Sequence, residues 1–187
     1  MKLIVTTLIL IALAINPAAT KRNSEKVIAH FELETPATFS LGQNYFLDID
    51  RDGNDDFSFN TASSFANDAM NTAFLVHALG DNEILSWNEY AMISETNDVI
   101  SSESHDMQWR SGAGEIIKQV NNGNRTQWNG LWSGDRAQYL AVKLHKEDNA
   151  YYGWVKVSID PATETAIIDE YAINRVPSAS IMAGQVN

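Results

Sequence analysis

A short acidic stretch, residues 48–56, spaces its carboxylates as a calcium loop does. Counted from Asp48 as position 1, aspartates recur at positions 1, 3, 5 and 9, and Gly53 lies at position 6, where such a loop must turn sharply. Four carboxylates this close repel one another, and a divalent cation would remove that repulsion. The stretch therefore predicts a Ca²⁺ site. The predicted ligands are the side chains of Asp48, Asp50, Asp52 and Asp56 and, at position 7, the backbone carbonyl of Asn54.

The flanks of this loop favour strands and not the helices of an EF-hand. Position 12 is Phe59 instead of a bidentate glutamate, and residues 45–47 and 57–59 follow the two-residue period of a strand. We therefore predict a unit made of a strand, a calcium loop and a strand. The alternative is a solvated acidic turn without metal, because Asp, Asn and Gly favour turns for reasons of their own.

A group of aromatic and polar residues in the second half of the chain predicts a ligand site. Trp128 and Trp132 lie in a segment rich in Gly and Asn, which is typical of a loop, and binding residues concentrate on loops. An aromatic face there can stack on a sugar ring while amide and guanidinium groups bind its hydroxyls. Two alternatives stay open, namely burial of both rings beneath the loop and a patch for a cell-surface protein. The predicted glycan-binding residues are Trp109, Trp128, Trp132 and Arg125.

Residues that carry catalysis form no recognisable pattern in this sequence. The four histidines are scattered singly, cysteine is absent, and no Gly-x-Ser-x-Gly elbow occurs. Acidic residues are plentiful, but a glycosidase pair is defined by a separation in space that a sequence does not give. We therefore predict a non-catalytic module without catalytic residues. The alternative is a polysaccharide-active enzyme, a glycoside hydrolase or lyase that uses acidic residues.

The elements that must position these residues are short strands separated by turn residues. No helical or heptad repeat is sustained, so the sequence predicts an all-β fold, an antiparallel β-sandwich or jelly roll formed by residues 21–187 as a single domain. Residues 60–71, rich in Ser, Ala and Asn, are the exception and predict a short helical turn or an excursion loop.

The clearest predicted element is a hairpin over residues 139–159. It should turn at residues 147–149 and place Leu140, Val142 and Leu144 on one face. Trp154 is predicted to be a core residue, and Gly153 to mark a bulge or a close approach of backbone.

The first twenty residues have the pattern of a secretory signal peptide. A lysine at position 2 precedes an apolar run over residues 3–15, which is short for a membrane span, although an uncleaved anchor is the alternative. The formal net charge of −11 argues against a nucleic-acid partner. Because cysteine is absent, stability must come from core packing and metal. We expect residues 1–20 to direct export to the extracellular space or periplasm, and no membrane association after their removal.

Several segments resemble a widespread group of secreted bacterial proteins. The group carries an early Leu-Asp-x-Asn-x-Asp-Gly-x-x-Asp-Phe segment, matched here by residues 47–57 with Asp50 in place of the usual Asn. It also has a hairpin like residues 139–144 with 152–157, followed by segments like 168–174 and 181–184. The resemblance implies a secreted β domain with a calcium-type loop and supplies no catalytic residues. The predicted function is a secreted, calcium-stabilised β-sandwich module with a binding or surface-structural role.

Overall fold

Strands account for all the regular structure in residues 27–103, 106–132 and 137–187, which are the residues that this computed structural model describes. The predicted all-β class is confirmed, with no helix in those ranges. They accordingly contain no helix of the length and apolar character that crossing a bilayer requires. The predicted signal peptide, residues 1–20, lies outside the described residues. The strands are β1 (Ile28–Phe39), β2 (Tyr45–Leu47), β3 (Phe57–Ala66), β4 (Ala69–Ala78), β5 (Glu83–Trp87), β6 (Tyr90–Ala91), β7 (Ile93–Ser94), β8 (Val99–Ile100), β9 (Gln108–Arg110), β10 (Gly112–Asn121), β11 (Thr126–Asn129), β12 (Gln138–Lys146), β13 (Asn149–Asp160), β14 (Thr165–Asn174) and β15 (Ile181–Met182).

One large sheet contains thirteen of these strands and curls nearly into a barrel. Its order is β1-β14-β13-β12-β5-β6-β10-β4-β3-β2, with β11 beside β10, β7 beside β12 and β9 beside β5. The pairings are antiparallel except for a single parallel contact between β6 and β10, so the sheet is mixed. Strands β8 and β15 form a separate antiparallel pair. The architecture is sandwich-like, since facing parts of the curled sheet enclose the main core.

The sheet carries apolar residues on both faces because its central strands are covered on both sides. On β12, Leu140, Val142 and Leu144 belong to the main core cluster inside the curled sheet. Ala141 and half-buried Tyr139 belong to a second cluster, which is centred on Trp154. This alternation confirms the predicted faces of the hairpin, and it follows from the two-residue period of a strand.

The β12–β13 hairpin forms as predicted, but its turn is shorter than the predicted 147–149, because Asn149 pairs with Lys146. In the remaining two-residue turn, Glu147 has a positive φ of 53°. Gly153 marks a close backbone approach. A Cβ atom added there would lie 2.5 Å from the carbonyl oxygen of Ala172 on β14. The neighbouring Trp154 is fully buried, which confirms it as a core residue.

The prediction for residues 60–71 was wrong, because they continue β3 and β4 as a hairpin. Ala66 pairs with Ala69 across Asn67 and Asp68, whose φ values of 55° and 58° suit a two-residue turn. The outer part of β3 is exposed on both faces, so its sequence shows no apolar alternation. Strand β1 continues through Pro36, and its register with β14 shifts between Glu32 and Ala37.

Candidate functional site

The acidic loop joins two paired strands, as the sequence predicts. Leu47 at the end of β2 pairs with Phe57 at the start of β3, and the Asp56 N–H donates to the Leu47 carbonyl at 2.8 Å. Both apolar residues are buried, as is Ile49 inside the loop. The loop is therefore fixed to the core at its two ends and at one point between them.

Turn hydrogen bonds give the loop its shape. The carboxylate of Asp48 accepts hydrogen bonds from the backbone N–H groups of Asp52 at 3.1 Å and Gly53 at 2.7 Å. Asp52 in turn accepts from the backbone N–H of Asn54 at 2.9 Å. Gly53 has a φ of 95°, which a residue with a side chain rarely adopts. These are the contacts that Asp and Asn make in tight turns, so they account for the fold of the loop and not for a metal.

Asp56 is the buried carboxylate of the loop, at 6% exposure. It accepts hydrogen bonds from the Ile49 N–H at 2.9 Å and from the Asn82 side-chain amide at 3.3 Å. Burial raises the pKa of Asp56 to about 6, the Ile49 hydrogen bond offsets part of this, and the negative charges of Asp50 and Asp48 add to it. The carboxylates thus disfavour one another's charged forms in this fold.

Three of the predicted ligands come together. Asp48, Asp50 and Asp56 each offer a carboxylate oxygen, and these oxygens lie within 4.8 Å of one another. One oxygen of Asp50, Oδ1, is buried and has no hydrogen-bond partner in the described structure. An oxygen-only donor set of this charge suits a hard cation such as Ca²⁺. The residues present therefore fit the predicted ion.

The other two predicted ligands, Asp52 and Asn54, are exposed and lie outside that group of three. Asp52 instead accepts a hydrogen bond from the Lys146 ammonium at 2.7 Å. This bond, with those from Asn54, lowers the pKa of Asp52 to about 2. The predicted metal ligand of Asn54 is its backbone carbonyl oxygen. The hydrogen bonds that Asn54 makes to Asp52 use its N–H groups, so they do not test that prediction.

Sequence reasoning missed Lys146, which ends β12 and contacts both Asp50 and Asp52. Partial burial alone would lower the pKa of Lys146, but its hydrogen bonds to the two aspartates outweigh that effect and the pKa is raised. Lys146 is 94 residues from Asp52 along the chain. No local pattern could have paired them, because the contact depends on where the β12–β13 hairpin lies in the sheet.

The predicted aromatic ligand residues lie in two different apolar clusters. Trp132 is 1% exposed, and its indole N–H donates to the Ala91 carbonyl at 2.9 Å, so it has no free face. Half-buried Trp128 packs on the main core, 5.4 Å from the ring of Phe74, whereas half-buried Trp109 belongs to the second cluster. Arg125 is exposed in a turn next to β11. A ligand role for Trp109, Trp128 and Arg125 stays a prediction.

A different tryptophan, Trp87, is the most exposed of the five, at 52%. It ends β5 and pairs with Tyr90 across a tight turn at Asn88, where φ is 54°. Together with residues 129–131, these two aromatics line a surface pocket. The sequence feature that could have indicated this pair is the turn Trp-Asn-Glu-Tyr between two short apolar runs. Such a turn favours an aromatic residue at each end of a hairpin.

No family model, curated protein or solved structure matches this chain. The resemblance of its loop and hairpin to a group of secreted bacterial proteins therefore stays a prediction.

Proposed function

We propose that this chain is a secreted, calcium-stabilised β-sandwich-like module with a binding or surface-structural role. The observation that carries the proposal is the convergence of Asp48, Asp50 and Asp56 within 4.8 Å, with a buried Asp50 oxygen that lacks a hydrogen-bond partner. The three side chains would hold the ion, which would compensate the repulsion that raises the pKa of Asp56. No residue is assigned a catalytic role.

The proposed role of calcium is to stabilise the fold. The chain has no cysteine, so no disulfide can supply that stability. The carboxylates converge only when β2, β3 and the loop are folded, so an ion that binds them favours the folded state over the unfolded chain. Export is supported by the signal-like residues 1–20, and the calcium loop by its resemblance to secreted bacterial proteins.

A calcium titration of the melting temperature tests the proposal. At a hundred times its dissociation constant, an ion that binds only the folded state stabilises by about 2.7 kcal/mol. For a chain of this length, that corresponds to a rise of about 5–10 °C in the melting temperature of calcium-depleted protein. A melting curve that calcium leaves unmoved contradicts the proposal.

A matched pair of variants assigns the effect to the loop. Asp50→Ala removes one of the three converging carboxylates, so we expect it to abolish most of the calcium-dependent rise. Asp55→Ala removes an exposed aspartate of the same loop that is not among the predicted ligands, so the rise should persist. If Asp50→Ala also keeps the full rise, calcium binds elsewhere.

A further inference from the structure

A surface pocket between the β5–β6 turn and the end of β11 shares no lining residue with the acidic loop. Its cavity volume is about 200 Å³. Pockets that enclose drug-sized molecules have volumes of about 300–1,000 Å³. The pocket therefore suits contact with part of a ligand, such as one ring of a polymer, and not the enclosure of a whole drug-sized molecule. The lining side chains are those of Trp87, Tyr90, Glu115, Lys118, Asn129 and Leu131.

Trp87 offers an aromatic face that the fold itself leaves uncovered. Just over half of it is exposed, whereas Trp132 and Trp154 are fully buried. Among the described residues, its ring makes no contact with another aromatic ring. A large aromatic side chain that stays in water carries apolar area that a ligand can cover.

The turn that carries Trp87 is held in place before any ligand binds. Its Asn88 carbonyl accepts a hydrogen bond from the Arg110 guanidinium, and its Glu89 carbonyl accepts one from the backbone N–H of Glu115 at 2.7 Å. Binding to a site that is already ordered avoids the free-energy cost of ordering it. Trp87 is therefore a preorganised platform.

The opposite wall is fixed by a buried anchor. Trp132 is held in the core by its hydrogen bond to Ala91, and this places Leu131, 42% exposed, at the pocket. Gly130 has a φ of 145°, and a Cβ atom added there would lie 3.2 Å from the Cα atom of Ile117. The glycine lets the chain pass close over β10, and Trp132 thereby contributes to the pocket without touching a ligand.

The polar groups of the pocket balance in charge. The Lys118 ammonium lies 3.2 Å from the Glu115 carboxylate, with side-chain exposures of 39% and 13%. The pair neutralises itself, so the pocket presents no net charge to attract an ion. It still offers donors and acceptors, and the Asn129 amide offers both. A hydroxyl group, which donates and accepts, matches this set better than a carboxylate or an ammonium.

We propose that this pocket binds a neutral carbohydrate, with a sugar ring against Trp87 and its hydroxyls on Glu115, Lys118 and Asn129. The inference rests on the binding role in the proposed function and gives that role a ligand class. None of the predicted glycan-binding residues, Trp109, Trp128, Trp132 and Arg125, lines this pocket.

Binding of soluble polysaccharides to the purified, calcium-loaded protein tests this inference. The neutral probes are mixed-linkage β-glucan, xyloglucan and galactomannan, and the acidic probes are alginate and polygalacturonate. We expect at least one neutral polymer to retard the protein in affinity electrophoresis and to change its tryptophan fluorescence, while the acidic polymers do neither. Absence of binding to every neutral polymer, or equal binding of acidic ones, overturns the inference.

Two variants and a control assign any binding to the pocket. Trp87→Ala should weaken binding about tenfold or more through loss of the stacking face. Glu115→Gln leaves the Lys118 charge unpaired, so it should weaken neutral binding and increase retardation by alginate. The control is Phe65→Ala, which removes another exposed aromatic, outside the pocket, at 71% exposure. Binding that survives Trp87→Ala, or is lost equally in Phe65→Ala, overturns the inference.

The calcium and sugar tests fail independently. Trp87 is exposed, so Trp87→Ala should melt within about 2 °C of the parent protein and keep its calcium-dependent rise. A calcium-dependent rise without polysaccharide binding removes the sugar inference and leaves the proposed calcium role. Polysaccharide binding without a calcium-dependent rise removes the proposed calcium role and leaves the sugar inference.

Discussion

Ile49 explains how a strongly acidic loop can be rigid. Its side chain is fully buried between two aspartates that face the candidate metal centre, and its N–H donates to Asp56 at 2.9 Å. The position that a Cβ atom on Gly153 would occupy lies only 3.3 Å from Ile49 Cδ1. The loop is thus packed on the middle of the sheet. Carboxylates on either side of a core residue have little freedom to move apart, which favours a site that exists before the ion arrives.

Lys146 should compete with calcium, because its ammonium already contacts Asp50 and Asp52. Lys146→Met keeps much of the side-chain length and removes the charge. A cation beside a divalent ion costs on the order of 1 kcal/mol even in water, so we expect calcium affinity to rise about tenfold at low ionic strength and less at high salt. Calorimetric titration with calcium measures the affinity.

The control for that variant is Lys156→Met, which removes a charge paired with Glu170. It should leave calcium affinity within about twofold, because the interaction of distant exposed charges is screened. An unchanged affinity in Lys146→Met would mean that the lysine does not share the ion's site.

At the residue scale, the sequence predicted the acidic loop because all its members lie within nine positions. Lys146 and Asn82 could not be predicted as its partners, since tertiary structure alone brings them there. The surroundings of the tryptophans likewise depend on tertiary structure. Gly and Asn indicated a loop correctly around Trp132 but not around Trp128, which lies on β11. A loop residue can also point inward, as the hydrogen bond from Trp132 to Ala91 shows.

At the scale of the strand, Gly153 is required by the close packing of β13 on β14. Gly153→Ala would bring a methyl group to 2.5 Å from the Ala172 carbonyl oxygen, which is backbone and cannot rotate away. We expect a loss of about 1–3 kcal/mol in the free energy of unfolding, which urea denaturation measures.

Gly114→Ala is the matched control, because the added methyl would meet the terminal Cδ1 atom of Ile84 at 2.6 Å and would lie 3.2–3.3 Å from the Cβ and backbone nitrogen of Ala91. The Ile84 side chain can change rotamer, so we expect a loss below about 1 kcal/mol, reduced by the lower entropy of the unfolded alanine variant. Equal losses in the two variants would contradict the backbone clash.

Trp154 is buried and Trp87 is exposed, so their replacement by alanine should affect stability differently. The buried ring of Trp154 packs edge-on against Tyr139 at 5.1 Å, and its N–H donates to the Gln185 carbonyl at 3.2 Å. We expect Trp154→Ala to cost about 3–5 kcal/mol and Trp87→Ala less than about 1 kcal/mol. Urea denaturation of both variants tests this, and a small loss in Trp154→Ala would mean that the ring is not core.

Strand prediction succeeded and failed according to burial. The β12–β13 hairpin alternates two apolar faces with polar turn residues, so its pairing was readable. The outer half of β3 is exposed on both faces, and its pairing with β4 rests on backbone hydrogen bonds and on the turn at Asn67 and Asp68. Apolar periodicity reports burial, so this exposed half of β3 gives no such signal.

For the whole molecule, two ionic clusters link strands that are distant in sequence. Glu83 on β5 pairs with Lys143 and His145 on β12. Glu170 on β14 pairs with His30 on β1 and Lys156 on β13. Partial burial alone would raise the pKa of each glutamate, but the hydrogen bonds from lysine and histidine outweigh it, and both pKa values are lowered. Both carboxylates therefore favour their charged form more in the folded state than in the unfolded chain.

The pKa values of Glu83 and Glu170 are lowered, whereas the pKa of Asp56 is raised. Together these opposite shifts predict that calcium-depleted protein is most stable at acid pH. The contribution of Glu83 and Glu170 is present above their ordinary pKa of 4.5 and is lost as the pH falls through their lowered values. The pKa of Asp56 rises from 3.8 to about 6, so the folded state holds its proton more tightly. Its contribution is full below pH 3.8 and is lost as the pH rises to about 6, by about 3 kcal/mol.

We therefore expect the melting temperature of calcium-depleted protein to peak near pH 4–5 and to fall on both sides. Glu170→Gln should flatten the acid side of the profile because the lowered carboxyl pKa is gone, and Asp56→Asn should flatten the fall between about pH 4 and 6. Calorimetric melting in calcium-free buffers from about pH 3 to 6.5 measures both slopes. The slopes, and not the melting temperatures themselves, carry the prediction, since either substitution also removes hydrogen bonds. A profile that rises steadily to neutral pH would show that Asp56 is charged in the metal-free fold at no cost.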